Sequence, residues 1–354
     1  MTNLKLRLLI FILLVCPAAV AAQTATEVFD GAIGAFNAKN YSVAAEGFAK
    51  YTAMKPSDSS GFYNLGLCYT NLKRQAEAVP NFKKAIALST NYYKPALQLG
   101  YAYLDLDKFS DAITAFTSAA TADPAKPDPH YGIGLANRYA KNSAEAEKAF
   151  MKAIAVGPPR VSFYYQLAST QYDAHKYKDA IINYRETVKL DPKHYSGWVY
   201  LGNSLDYDGQ LAEAIKAYET AVVIDPTKPE AATELAVLHL RNNKPQLCET
   251  YARKGIVLDP KYPGGHRTLG VCLRNLKRYP EALSSGLEAV RLDGKYGEGY
   301  RALGYTYLAM RNAERVAKNN AKAGQYDAKA REMVAKLKEL GENSELLEEA
   351  VNKP

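Results

Sequence analysis

The stretch WVYLGNSLDYDGQLAEAIKAYETAVVIDP, Trp198 to Pro226, places two small residues, Gly202 and Ala214, twelve positions apart among bulky apolar ones. Its apolar residues follow helical spacing on both sides of DYDGQ, a segment typical of a break between helices. Glycine inside a helix costs about 1 kcal/mol relative to alanine. We therefore expect two antiparallel helices to come closest at these small residues. The closing Asp-Pro predicts a helix end, because proline cannot continue a helix.

This pattern recurs every 34 residues along the chain. A small residue stands at Ala32, Gly66, Gly100, Gly134, Ala168, Gly202, Ala236, Gly270 and Gly304. An aromatic residue follows sixteen positions later in the first six repeats, at Phe48, Phe82, Phe116, Phe150, Tyr184 and Tyr218. A proline closes most repeats, at Pro56, Pro124, Pro158, Pro192, Pro226 and Pro260. The spacing predicts an array of helix pairs.

The pattern resembles the tetratricopeptide repeat (TPR) family, which the opening stretch matches nearly position for position. The resemblance implies an all-α, right-handed superhelix, a solenoid of about eight full repeats plus a C-terminal capping region. It divides the chain into a signal peptide (1–22), eight repeats (23–296), and a partial ninth repeat with capping helices and an acidic tail (297–354). Within the last segment we expect a capping helix over 326–340 and a short, fraying helix over 343–351.

The first residues have the pattern of a secretory signal peptide. Lys5 and Arg7 precede a short apolar run, and small residues that suit cleavage follow it. The run is far shorter than the ~20 residues that span a bilayer. We expect export to the periplasm, with an extracellular protein as an alternative. An outer-membrane lipoprotein anchored through Cys16 also stays open, although Val15 stands where that pattern has a small residue. No transmembrane segment is expected in the mature chain.

Charge and motif content favour neither a nucleic-acid partner nor an enzyme. The net charge of +8 falls to +6 without Lys5 and Arg7, which is mild for this length. No histidine lies at a metal-ligand spacing from another histidine or a cysteine pair, and we expect His130 and His239 to be satisfied packing residues. The glycine-rich stretch at 132–137 begins no βαβ unit. We therefore expect a protein that is not an enzyme and has no cofactor or metal.

Three cysteines follow the predicted signal peptide. Cys68 and Cys272 occupy the same repeat position, and Cys248 replaces a packing alanine. Buried free thiols are one interpretation. A Cys248–Cys272 disulfide between neighbouring repeats is the other, since an exported protein meets oxidising conditions.

The function is therefore expected to lie in a surface. In the TPR family, fixed positions of each first helix line a concave groove, and the resemblance assigns Tyr63, Leu67, Tyr101, Tyr131, Arg138, Tyr139, Tyr165, Tyr172, Asn203, Tyr207, Arg241, Arg267, Arg274 and Arg301 to it. Tyrosine and arginine dominate contact energies at interfaces. We expect an exported scaffold or adaptor that binds an extended protein or peptide segment with apolar and acidic parts.

Other interpretations stay open. One is a carbohydrate-binding or polysaccharide-export accessory protein, in which the tyrosines stack on sugar rings. Another is self-association through the terminal repeats. The family's clamp for a C-terminal carboxylate is not expected, because only Asn64 and Lys94 fit its five positions.

The seventh and eighth repeats lack the aromatic residue, with Ala252 and Gly286 in its place. Tyr251 and Leu287 stand next to these positions and could replace the missing ring. We expect a looser or bent junction here, with a pocket as one outcome.

Overall fold

The computed structural model describes residues 23–353, whose regular structure consists of nineteen α-helices. The predicted signal peptide and Cys16 lie outside the described residues. The chain divides into two compact modules, Met1–Pro124 and Ala125–Pro354, which are described in turn.

The N-terminal module contains three helix pairs. Its helices are α1 (Ala25–Asn37), α2 (Tyr41–Met54), α3 (Ser59–Asn71), α4 (Gln75–Leu88), α5 (Tyr93–Asp105) and α6 (Phe109–Ala122). Each second helix contributes a fully buried phenylalanine to the core, namely Phe48, Phe82 and Phe116. These are the aromatic residues of the 34-residue pattern.

The C-terminal module continues with five pairs and three terminal helices. The pairs are α7 (Pro127–Tyr139), α8 (Ser143–Val156), α9 (Val161–Asp173), α10 (Tyr177–Leu190), α11 (Tyr195–Tyr207), α12 (Leu211–Ile224), α13 (Pro229–Arg241), α14 (Pro245–Leu258), α15 (Pro263–Asn275) and α16 (Tyr279–Leu292). The terminal helices are α17 (Gly297–Val316), α18 (Asn320–Glu339) and α19 (Glu345–Asn352).

The sequence period sets the helix boundaries. Every first helix of the eight pairs has 13 residues and every second helix has 14. Corresponding helices begin 34 residues apart, as α9 and α11 do at Val161 and Tyr195. Within each pair, a residue with positive φ follows the first helix, and it is a glycine only at Gly209. The prediction of an all-α fold of paired helices is confirmed.

The recurring glycine of the first helix makes room for an aromatic ring. A Cβ atom at Gly202 would lie 2.8 Å from the Tyr218 ring, and one at Gly134 would lie 2.4 Å from the Phe150 ring. Our explanation from the sequence, direct approach of the two helices, is therefore corrected for these repeats. At Gly270, where the aromatic residue is missing, a Cβ would instead meet the backbone oxygen of Ala282 at 3.1 Å.

The seventh and eighth repeats are joined by a disulfide. Cys248 in α14 and Cys272 in α15 are bonded, with their Cα atoms 5.7 Å apart, whereas Cys68 is a buried free thiol. The bonded pair packs in one apolar cluster with Ala252. Of the two alternatives that the sequence left open for this pair, the structure contains the disulfide.

Two helices at the C-terminal end, α17 and α18, are longer than those of the repeats. Helix α17 starts in register at Gly297 but has 20 residues, so it passes the point at which other first helices end. Helix α18 begins at Asn320, six residues before the expected start. The last helix does not fray: Leu347 and Val351 of α19 are buried against α17 and α18.

Candidate functional site

Five tyrosines form one connected surface group in the C-terminal module. We call Tyr165, Tyr172, Tyr177, Tyr200 and Tyr207 the tyrosine cluster. All but Tyr177 come from the first helices α9 and α11, and Tyr177 is the first residue of α10. The 34-residue period places the two first helices side by side, so residues of equivalent position become neighbours.

Tyr172 lies at the centre of the tyrosine cluster. Its ring centroid lies 5.6 Å from that of Tyr200, 5.7 Å from that of Tyr177 and 6.0 Å from that of Tyr207, each in an edge-on arrangement. Tyr177 and Tyr207 stack with their planes at 11° and their centroids 4.8 Å apart. Edge-on and offset-stacked arrangements are those that aromatic pairs prefer, so the rings support one another.

The cluster has a rigid base and an exposed rim. Tyr184, which is fully buried, stacks under Tyr200 and donates a hydrogen bond to the Ser169 hydroxyl, with 3.1 Å between the oxygens. Tyr200 and Tyr207 keep 37% and 63% of their surface exposed. Rings held by a buried neighbour lose little conformational freedom when they bind, so such a surface is suited to contact with a partner.

The hydroxyl groups of Tyr165 and Tyr172 stay protonated across physiological pH. Burial, followed by the charges of its tyrosine neighbours, raises the pKa of Tyr172 well above the usual tyrosine value. Burial likewise raises the pKa of Tyr165. These two hydroxyl groups can therefore donate and accept hydrogen bonds as neutral phenols but supply no negative charge.

Two ion pairs flank the tyrosine cluster and join neighbouring first helices. Arg138 of α7 donates to the Asp173 carboxylate at 2.9 Å and to the Gln166 side chain at 2.8 Å. Arg241 of α13 donates to Asp206 of α11. Both arginines were predicted to line the groove, and the structure uses them to connect repeats on either side of the cluster.

The remaining predicted arginines have separate surroundings. Arg267 is half-buried near Glu234. The crowded surroundings of Glu234 raise the pKa of its carboxyl, an effect that Arg267 opposes and Asp206 reinforces. Arg274 lies over the Tyr305 ring, 5.6 Å from its centroid. The expected basic lining is thus partly offset by acidic residues.

Arg301 is engaged with the C-terminal end of the chain. It pairs with Glu298, lies 3.8 Å from Glu342, and donates to the Asn343 carbonyl at 2.8 Å. It therefore holds the segment between α18 and α19.

Several predicted groove residues serve as packing groups. Tyr131 is half-buried, with its ring centroid 5.8 Å from that of Phe150 and 5.1 Å from that of Phe163. Asn203 accepts a hydrogen bond from the Tyr218 hydroxyl. Tyr139, by contrast, is 55% exposed at the end of α7.

The other three predicted residues belong to the N-terminal module. Tyr63 and Tyr101 are half-buried and pack on the buried Phe82 and Phe116 of their own repeats, and Leu67 is half-buried beside them in sequence.

Sequence reasoning missed Tyr177 and Tyr200. The position of Tyr177 is also aromatic at Tyr41, Phe109 and Tyr279, and this recurrence was a signal for it. The position of Tyr200 holds polar or small residues in the other repeats, so only a local signal marks it: five tyrosines fall within the 31-residue stretch 177–207.

A metal-binding cluster or a membrane-spanning helix would be a further kind of functional site. Among residues 23–353, no group of three or more histidine, cysteine or acidic side chains is arranged to hold a metal ion. Within the same range, none of the helices has both the length and the apolar content needed to cross a bilayer. The two core histidines are less satisfied than expected: His239 has no hydrogen-bond partner on either ring nitrogen, and His130 has none on Nε2.

Models of the tetratricopeptide repeat family match this sequence at residues 59–92, 97–160 and 165–229. The comparison with curated proteins gave no match.

Solved structures of repeat proteins resemble the fold. The C-terminal part of a TPR repeat-containing protein from Cytophaga hutchinsonii is 20% identical with a TM-score of 0.60, covering 68% of this chain and 99% of that one. A tetratricopeptide repeat protein from Parabacteroides merdae is 14% identical with a TM-score of 0.50, covering 70% and 98%. At these identities the likeness concerns the fold alone.

Proposed function

We propose that this chain, which belongs to the tetratricopeptide repeat family, is an exported, non-enzymatic scaffold that holds an extended partner segment on the tyrosine cluster. Proteins built from these repeats generally serve as protein-interaction scaffolds, and their stacked helices supply a long surface with little internal motion. The proposal concerns which surface is used and where the protein works.

The observation that carries the proposal is the tyrosine cluster itself. Single exposed apolar residues are common on protein surfaces, but contiguous exposed aromatic groups are enriched at interaction sites. Five rings connected by pairwise contacts on adjacent helices, with Tyr207 largely exposed, form such a group. The flanking pairs Arg138–Asp173 and Arg241–Asp206 offer polar groups to the backbone of a bound segment.

Export is supported by the N-terminal sequence pattern and by the disulfide. A bond between Cys248 and Cys272 is typical of proteins that reside in an oxidising compartment. N-terminal sequencing of the protein from the periplasmic fraction should give a chain that starts near residue 23. A cytoplasmic protein that retains Met1 would contradict export while leaving the binding proposal standing.

Site-specific photo-crosslinking in the producing cell tests the binding surface. A photoreactive residue in place of Tyr207 or Tyr139 should give a discrete adduct with a protein partner. Val223, which is highly exposed on α12, is the matched control position and should give none. The Tyr172→Ala change should reduce the adduct formed from position 207, because Tyr172 packs against the side chain at that position. Equal adducts from Val223, or none from Tyr207, would contradict the proposal.

A sugar-binding role is the second candidate, and one observation favours it. Tyr207 presents a flat, exposed ring that is held from below by Tyr177, which is the geometry that stacking on a sugar ring requires. Cell-wall oligosaccharides that abolish the Tyr207 adduct, and that bind the wild type but not Tyr207→Ala in calorimetry, would favour this role over a protein partner.

A further inference from the structure

The C-terminal end of the chain contains a basic cavity that the tyrosine cluster does not involve. Its volume is about 810 Å³, and it exists because α17 continues past the usual helix end and so forms one wall. Its lining residues are Arg274, Asn275, Lys277, Tyr279, Tyr305, Leu308, Ala309, Arg311, Asn312, Arg315, Ala350 and Lys353. We call it the basic cavity.

The basic cavity has an excess of uncompensated positive charge. Arg311 is buried and paired with Asp327 at 2.8 Å, and it also donates to the Val351 carbonyl. Arg274, Lys277 and Arg315 have no ion-pair partner among residues 23–353. Among residues 23–353, no Asp or Glu side chain lines the cavity. Partial burial lowers the pKa of Arg274, as expected of a cation that no carboxylate offsets. The cavity therefore attracts an anionic group.

The complementary surface lies on the neighbouring helix. The outward side of α19 carries Glu345, Glu348 and Glu349, which line a separate depression of about 550 Å³. Glu348 pairs with Lys338 at 2.7 Å, whereas Glu345 and Glu349 form no ion pair among the described residues. Leu346, which is 73% exposed, stands beside them. We call this side the acidic face of α19.

We propose that the basic cavity receives the acidic face of α19 from a second copy of this chain, so that two copies associate at their C-terminal ends. Glu345 and Glu349 would approach Lys277 and Arg315, and Leu346 would pack on the apolar part of the lining beside Tyr279 and Ala309. The basic cavity and the acidic face adjoin in each copy, since Lys353 lines both. Two copies can therefore make the same contact twice, and a contact of this kind closes as a dimer.

The pair is weak and depends on salt. One eight-residue helix buries less surface than a permanent dimer requires. The charges are exposed to solvent. The Debye length falls from about 30 Å at 0.01 M salt to about 3 Å at 1 M, so high salt screens most of the attraction. Sedimentation velocity of protein produced from the full-length sequence should show a dimer at low salt and a monomer at high salt. A wild type that stays monomeric at low salt overturns the proposal.

Charge reversal identifies the contact. Lys277→Glu with Arg315→Glu should weaken the dimer by about tenfold or more, and so should Glu345→Lys with Glu349→Lys, because like charges then face each other. An equimolar mixture of these two variants should dimerise again, since each restores the complement of the other. The matched control, Lys148→Glu with Lys178→Glu on exposed second-helix positions, should leave the dimer intact.

Three outcomes of these experiments would contradict the proposal. A dimer that survives both reversals uses another surface. Folded variants, by circular dichroism, that fail to pair in the mixture show that these charges do not meet. A monomeric wild type whose cavity binds a glutamate-rich peptide shows that the cavity serves a different protein.

Discussion

The fifth and sixth repeats differ from the seventh and eighth in the side chains that fill the space between the two helices of a pair, although the corresponding helices have equal lengths. In the former, the buried ring of Tyr218 lies against Gly202 of the first helix, and buried Tyr184 shares the same apolar cluster as Ala168. In the latter, Ala252 and Gly286 leave that space without a ring, yet α14 and α16 have the same length and register as α10 and α12. The backbone period therefore does not require one particular core.

Three substitutes replace the missing rings. Tyr251, one position before Ala252, stacks on His239 with their centroids 5.2 Å apart. The Cys248–Cys272 bond joins α14 to α15. At Gly286, a Cβ atom would lie 2.7 Å from Leu303 of α17, so the next repeat fills that space. Leu287 stays 47% exposed and does not take part. The hypothesis that Tyr251 replaces a ring agrees with this packing, and the looser junction stays a prediction.

The largest effect is expected from Tyr218→Ala. Removing a fully buried aromatic ring from a core of this type costs about 3–5 kcal/mol. Urea unfolding at pH 7 measures the free energy of unfolding. Tyr251→Ala is the matched control in the seventh repeat and should cost less, because Tyr251 is only half-buried. Equal losses from the two variants would contradict the distinction between ring-filled and substituted repeats.

The next effect concerns the disulfide. Replacing Cys248 and Cys272 together by alanine should lower the free energy of unfolding by about 3 kcal/mol, given the 24-residue separation. Neighbour-only contacts in repeat proteins should confine the change to the adjoining helices. Hydrogen exchange should therefore accelerate in α14 and α15 and not in α10 and α12. Cys68→Ala, at a buried free thiol, is the control. Unchanged exchange in α14 would contradict this role.

A smaller effect is expected from Gly202→Leu, which forces a side chain against the Tyr218 ring. Overpacking of a filled core costs about 1–3 kcal/mol. Gly34→Ala is the control, because a Cβ at Gly34 meets no atom within 4 Å, and that change should raise the melting temperature slightly through helix propensity. A melting temperature that Gly202→Leu leaves unchanged would contradict the packing of glycine against the ring.

The comparison also shows what the sequence could predict. Repeated residues such as Gly202 and Tyr218 occur in many copies, so their 34-residue spacing specifies the helix pairs and their ends. Tyr200 occurs at a position without a shared pattern, and its contact with Tyr172 depends on side-chain packing between repeats. The pair of Arg241 with Asp206 occupies the same repeat positions as the pair of Asp173 with Arg138, but with the charges exchanged, so no residue type marks these positions. Periodicity therefore specifies the helix pairs but does not by itself reveal the contacts of the candidate site.

A buried histidine in the seventh repeat has no counterpart in the fifth and sixth. His239 is 4% exposed in the seventh repeat, where the fifth and sixth have Gln171 and Leu205. Burial, together with the nearby Lys244, lowers the pKa of His239 below the usual histidine value, and Glu219 opposes this shift. The unfolded chain therefore binds the proton more readily than the folded chain, and stability is lost as the pH falls below about 6.5.

The His239→Leu variant should remove this part of the pH dependence. Its free energy of unfolding, relative to the wild type, should rise as the pH falls from 7.5 to 5, because the unfavourable protonation of a buried histidine is then absent. His130, whose pKa burial also lowers, is present in both proteins, so its contribution cancels in the difference. Urea unfolding of both proteins at each pH measures that difference. If it does not change with pH, protonation of His239 does not weaken the seventh repeat, and the two regions differ in packing but not in their response to acid.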